Sequence, residues 1–425
     1  MSAEIPAIPE IAWPRLRARL DALAEIGDTG DGGCARLALT DRDREGRDLV
    51  VTWMRDLGMR VDIDEVGNIV GTWPAASAAP PVLMGSHIDT VATGGKYDGT
   101  FGVLAGLEVV EAILTAGIET ERPIAVGVFT DEEGSRFAPD MLGSLVYVGG
   151  MPLEGALMTV GVDGAVLGEE LQRIGYAGPA PCPARPPHAF VELHIEQGPV
   201  LDSEGVDIGV VTGVQGISWT ELTFSGQSNH AGTTPMAMRR DAGFAAAALT
   251  VAARELASAA GPPMVATVGR VTLAPNLVNV VAREAVVTVD LRHTDEAVLA
   301  AAEQELLARA QAIADAEGIT LATRVLARFE PVTFDPGVVD LVERAALARG
   351  RTTKRMPSGA GHDAQMLARV CPSGMVFVPS AGGISHNPAE HTDDAQLARG
   401  AVVLLDVVLA LAGAGEPVGQ RGTRT

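Results

Sequence analysis

Ligand-type side chains fall on both sides of a change in folding pattern, and this placement constrains the chain more than any other feature. Up to about Gly213, short apolar runs at 59–63, 82–84, 124–129 and 190–193 alternate with helical segments such as 103–114. That alternation predicts an α/β sheet with helices on its faces. From about 214 the pattern differs. Residues 220–224 alternate, with Leu222 and Phe224 on one side, and an alanine-rich helix follows over 241–260. A strand pair at 265–273 and 285–292, a helix at 296–317 and a last strand at 320–326 complete a unit of two helices on a largely antiparallel sheet. The α/β pattern resumes near Asp335 and ends in a helix over 394–411. His87 and His386 flank this interruption. The expected architecture is therefore a discontinuous α/β domain, 1–213 with 330–425, carrying an inserted α+β unit at 214–329.

Five side chains suited to metal lie at strand ends or in glycine-rich loops. They are His87 and Asp98 in GSHIDTVATGGKYDG, Glu133 in FTDEEGSRF, His194 in ELHIEQG and His386 in GGISHNPAE. Each motif alone has a plain alternative: a loop histidine, an Asp-Gly turn, a solvated acidic turn. Together they exceed the three protein ligands of one open tetrahedral zinc site. They suit two divalent ions sharing a carboxylate, an arrangement that activates water and polarises a carbonyl or phosphoryl oxygen. The residues thus predict a metallohydrolase. Glu132 and Glu133 end an apolar strand, and neighbours on an extended strand point to opposite sides. One is expected to hold metal and the other to serve as general base. Asp89, two residues beyond His87, is expected to accept the second ring N–H of that histidine and fix its tautomer.

The remaining histidines divide. His230, in SNHAGTTPM, lies in a loop of the inserted unit, where a positioned imidazole could stabilise an oxyanion. His362, in SGAGHDAQ, opens a helix and could cap or orient; His188, His293 and His391 are expected to be structural. Nucleophile chemistry finds no support: there is no GxSxG elbow, and Cys34, Cys182 and Cys371 have no histidine motif nearby. Their odd number and wide spacing exclude a disulfide framework or thiolate zinc site. No Walker or dinucleotide-binding loop is present.

A formal charge of −22 argues against nucleic acid or an anionic membrane as partner. The N-terminus lacks a basic and apolar leader, and no run of about 18 apolar residues occurs, so a cytoplasmic protein is expected. The tail after Gly413 is expected to be disordered.

GSHIDTV, GGKYDGTFGVLAGLEVV, DEEGSRF, HIEQGPVL, HAGTTPM, DLRHTD and GISHNPAEHT appear in that order. Over about 13–411 the chain resembles the hydantoinase/carbamoylase group of the M20 metallopeptidase-like amidohydrolases. That group includes N-carbamoyl-L-amino acid hydrolase, β-ureidopropionase and allantoate amidohydrolase. The resemblance implies His87, Asp98 and His194 on one metal and Asp98, Glu133 and His386 on the other, with Asp98 bridging. It implies Glu132 as general base. Substrate contacts would come from His230, Asn279 and Arg292 in the inserted unit, with Gln197 and Gly361 contributing from the metal domain. The inserted unit would serve as lid and homodimer interface, its residues reaching a site in the same or the partner subunit.

The residues agree on one point. Val287, Val289 and Leu291 share a strand face, leaving Asp290 and Arg292 on the other, and an arginine fork suits a carboxylate. The plain alternative for Arg292 is a surface ion pair with Asp290. The expected activity is cleavage of an N-carbamoyl-L-amino acid, with N-carbamoyl-β-alanine possible as substrate, to amino acid, ammonia and carbon dioxide. Allantoate hydrolysis is the alternative, followed by an M20-type dipeptidase and a silent binding protein. Imidazole and carboxylate ligands accommodate zinc, manganese, cobalt or nickel.

Overall fold

The computed structural model describes residues 9–74 and 76–414, so the tail expected to be disordered falls, from 415 onward, outside them. The described chain separates into two compact units. One runs to Gly213 and resumes at Thr333; the other is Val214–Val332. The fold is α/β, with a discontinuous domain interrupted by an α+β unit.

In the discontinuous unit a mixed sheet runs in the order Arg60–Ile63, Ile69–Trp73, Ile124–Phe129, Val82–His87, Ala189–Ile195, Ser373–Val378, Ile208–Val214. The central four strands, Ile124–Phe129 through Ser373–Val378, are mutually parallel. All four are buried along their whole length. This explains their continuous apolar runs, because both faces of such strands meet helices. Thr100–Ala116 packs on Val82–His87 and on Asp394–Leu411. Burial surrounds most of that helix, and Glu108, one of its two charged residues, is 0% exposed. A buried carboxylate is tolerated only when paired, and Glu108 accepts from Arg15 Nε and from the Ala12 N–H, each at 2.7 Å. These bonds pin the first helix, Trp13–Ala24, whose Leu16, Leu20 and Leu23 are buried.

The inserted unit has a four-stranded antiparallel sheet in the order Thr320–Phe329, Gly216–Ser225, Glu284–His293, Val265–Ala274. Leu222, Phe224, Val287, Val289 and Leu291 form a core with Leu249 and Leu256 of helix Ala242–Ala260 and Leu299 and Leu306 of helix Glu296–Glu317. Alanines fill much of the remaining contact, as the shortage of aromatics requires. Both helices start where an aspartate accepts two main-chain N–H groups: Asp241 from Gly243 and Phe244, Asp295 from Ala297 and Val298.

Candidate metal centre

Parallel strands end on one side of a sheet, so the segments that follow them share one rim. Here the rim gathers His87 and His194 on strand ends, with Asp98, Glu132, Glu133, Gln197 and His386 in the segments beyond. Asp98 occupies the middle. Its Oδ1 lies 3.6 Å from His87 Nε2 and 3.2 Å from His194 Nε2. Its Oδ2 lies 3.4 Å from His386 Nε2, which is also 3.2 Å from Glu133 Oε2. The structure therefore assembles two donor groups, His87–Asp98–His194 and Asp98–Glu133–His386, that meet on one carboxylate.

The hydrogen bonding fits cations. His87 Nδ1 donates to the main-chain carbonyl of Asp89 at 2.9 Å, and His194 Nδ1 donates to that of Ile195 at 2.8 Å. A carbonyl only accepts, so each ring carries a proton on Nδ1 and turns Nε2 toward Asp98 as the nitrogen that would ligate a metal. Glu133 Oε1 is buried and has no hydrogen-bond partner, a costly state that a bound cation would relieve. Asp98 and Glu133, by hydrogen bonding, hold the His386 imidazolium up to about 10, so this side of the centre stabilises positive charge. Gly99 has φ +64°, and a Cβ there would overlap the His87 ring, so the bend that returns Asp98 to His87 demands glycine.

Two expectations need correction. The partner of His87 is the carbonyl of Asp89 and not its carboxylate. That carboxylate instead faces the N–H groups of Glu132 and Glu133, each at 3.4 Å, and burial pushes it up to about 6. The second correction concerns how Glu132 and Glu133 diverge. The strand ends at Phe129 and Asp131 turns the chain at φ +55°, so strand alternation does not separate the pair. The turn sends Glu132 Oε2 to within 3.4 Å of His87 and Glu133 to His386. Burial raises the Glu132 carboxyl well above its ordinary range.

Gln197, with φ +59°, donates from Nε2 to Asp98 Oδ2 at 2.8 Å, leaving a buried Oε1 without a partner. Gly361 precedes His362, whose ring packs edge-on against His194 at 4.6 Å between centroids. His362 occupies the cap position of helix Asp363–Leu367 but makes no side-chain cap bond; its Nε2 bonds Ser358 Oγ at 2.8 Å. Glu192, His194 and His362 also cluster, yet Glu192 spends both oxygens, on Ser86 Oγ at 2.6 Å and the Ala364 N–H at 2.8 Å. That group is support behind the centre. Reading the sequence missed it, although Glu192 lies two residues before His194 and so faces the same side of its strand.

The other candidate residues lie in the inserted unit. His230 Nδ1 accepts the N–H groups of Gly232 at 3.0 Å and Thr233 at 3.2 Å, which puts the ring proton on Nε2. The ring is exposed. Asn279 accepts the Ala231 N–H through its main-chain carbonyl at 2.9 Å, tying it to the His230 loop. Arg292 pairs with Asp290 at 2.9 Å and is about one-fifth exposed.

Comparison with known proteins places the chain. The model of Peptidase family M20/M25/M40 matches residues 83–410. An amidase of the hydantoinase/carbamoylase family from Burkholderia vietnamiensis superposes with a TM-score of 0.90 at 45% identity, covering 96% of this chain and 98% of that one. The chain belongs to the M20 family, in its hydantoinase/carbamoylase group. An N-carbamoyl-L-amino-acid amidohydrolase of Rhizobium meliloti is 42% identical over 94% of this chain and 96% of its own. One from Geobacillus stearothermophilus is 40% identical over 95% and 99%. Among the described residues of this M20 hydrolase, the imidazole and carboxylate groups that could hold metal are the two that meet on Asp98, with the Glu192 group behind them.

Proposed function

We propose that the chain is a two-metal amidohydrolase that cleaves the carbamoyl group from N-carbamoyl-L-amino acids. The observation that carries this reading is Asp98 with donors on both of its oxygens and Glu132 beside them, in a chain of the hydantoinase/carbamoylase group. His87, Asp98 and His194 would hold one divalent ion, and Asp98, Glu133 and His386 the other. Bound there, zinc or manganese, cobalt or nickel supplies Lewis acidity to a water and to the ureido carbonyl.

The protein's own groups do the rest. Glu132 takes a proton from the attacking water and returns it to the leaving nitrogen, and its burial supports the proton-holding state that this needs. His230 presents Nε2–H as a donor for the developing oxyanion. Arg292, on exchanging Asp290 for substrate, pairs with the carboxylate through its planar fork. Gln197 Oε1 has an unspent acceptor for a ureido N–H, and Asn279 and Gly361 complete the contacts.

The inserted unit acts as lid and homodimer interface in this reading. Exposed Phe244 and Val251 on one helix, with Val265 and Val271 on the adjoining edge strand, support such a contact. The three cysteines are free, as a reducing cytoplasm would keep them. Among the described residues no helix is long and apolar enough to cross a membrane.

Ammonia release from zinc- or manganese-reconstituted protein tests the reading, with N-carbamoyl-L-methionine, N-carbamoyl-β-alanine, allantoate and a dipeptide assayed side by side. Turnover of a carbamoyl amino acid supports it. Turnover of allantoate alone would move the substrate to a larger ureido acid, and silence on all four with two ions bound would overturn it.

A further inference from the structure

The segments carrying Asp98 and His386 are joined by a side chain outside the donor set. Glu390 is 5% exposed. Its Oε1 accepts the main-chain N–H of Tyr97 at 3.0 Å and of Asp98 at 3.2 Å, and its Oε2 accepts the Ser385 hydroxyl at 3.0 Å. Ser385 Oγ also lies 3.1 Å from Asp98 Oδ2, the oxygen that faces His386. The approach is close enough that a Cβ on Gly95 would overlap the Glu390 carboxyl. A buried carboxylate is retained where its hydrogen bonds are satisfied. Every bond Glu390 makes here goes to one of the two segments, 287 to 293 residues apart in sequence from end to end.

We propose that Glu390 is a positioning residue that locks the Asp98 segment to the His386 segment and so builds the Asp98–Glu133–His386 metal position, touching neither ion nor substrate. The proposal rests on the two-position reading above. The other position needs no such lock, because His87 and His194 sit on strand ends with each ring held by a main-chain carbonyl. Loss of the lock therefore acts mainly on the second position, because the first keeps two of its three ligands on strands.

The test uses full-length, metal-free protein: wild type, Glu390→Ala, Glu390→Gln and Ser385→Ala. Zinc is titrated in, bound ions are counted by mass spectrometry, and amide hydrogen exchange is followed at Tyr97 and Asp98. Wild type should take two ions. Glu390→Ala should weaken the second on the order of 10- to 100-fold, the usual effect of losing support behind a ligand. Its Tyr97 and Asp98 amides should exchange severalfold faster even without zinc. Glu390→Gln should rescue both readouts, since an amide oxygen accepts the two N–H groups and its NH2 reaches Ser385 Oγ. Ser385→Ala removes one arm and should weaken the second ion alone, which decides the matter if Glu390→Ala does not fold. Two ions at wild-type affinity in folded Glu390→Ala, or in Ser385→Ala in its place, would overturn the proposal. So would unchanged amide protection. A wild type that binds a single ion would instead overturn the two-position reading, while faster exchange in Glu390→Ala would still report the lock.

Discussion

The two candidate metal positions share Asp98 and differ in how the fold makes them. His87 and His194 have side chains 1% exposed, belong to neighbouring parallel strands and are oriented by carbonyls within two residues. His386 is 50% exposed at its side chain, stands in a loop at φ +53°, and meets Glu133 from another loop. Sheet geometry thus forms the closed position, whereas the open one depends on side chains such as Ser385 and Glu390 that tie loops together. A rigid, enclosed site exchanges its ion reluctantly; one on exposed loops opens with local fluctuation. On the two-metal reading proposed above, the closed position would retain its ion and the open one would exchange it more readily.

Substitutions can break this comparison. Asp98→Ala removes the shared carboxylate, so both positions should empty in metal analysis and turnover should fall on the order of 10^4- to 10^6-fold, the scale of losing a whole catalytic unit. Glu132→Gln spares every proposed ligand. It should retain two ions and lose about 10^2- to 10^4-fold in kcat, the range of general acid–base catalysis; near-normal turnover with both ions bound would contradict the assignment. His194→Ala and His386→Ala separate the positions directly. Each should cost an ion. Thermal or urea unfolding should show His194→Ala destabilised by about 2 kcal/mol, as expected on emptying a buried site, and His386→Ala changed by about 0.5 kcal/mol or less. The smallest effect is kinetic. Dialysis against a chelator should remove the two ions in separate phases, the open position first, and simultaneous loss would erase the distinction.

How legible each part was in the sequence follows from the distance over which its causes act. The strand Ile124–Phe129 and the helices Glu296–Glu317 and Asp394–Leu411 stand where apolar pattern and local caps put them. In helix Glu296–Glu317, Asp295 opens the first turn and Gly318, in the left-handed region, closes the last. That five donor-type side chains would gather was legible because each lies at a strand end or in a segment beyond one, and a parallel sheet brings such positions to one rim. What escaped was which atoms pair. Asp89 offers a carbonyl and a carboxylate at the same spacing from His87, and only the loop's path selects the carbonyl. The turn at Asp131 hides behind an acidic run that reads as strand end. Glu390 shows least of all. Its partners Tyr97 and Asp98 lie 293 and 292 residues away, and no local pattern records a bond made only when the sheet has assembled.

Anomalous diffraction at the zinc edge, from crystals of zinc-reconstituted protein, tests the central claim most directly. The account predicts two peaks, one on each oxygen of Asp98, with His87 and His194 around the first and Glu133 and His386 around the second. A single peak under full zinc occupancy, or two peaks that do not share Asp98, would contradict it.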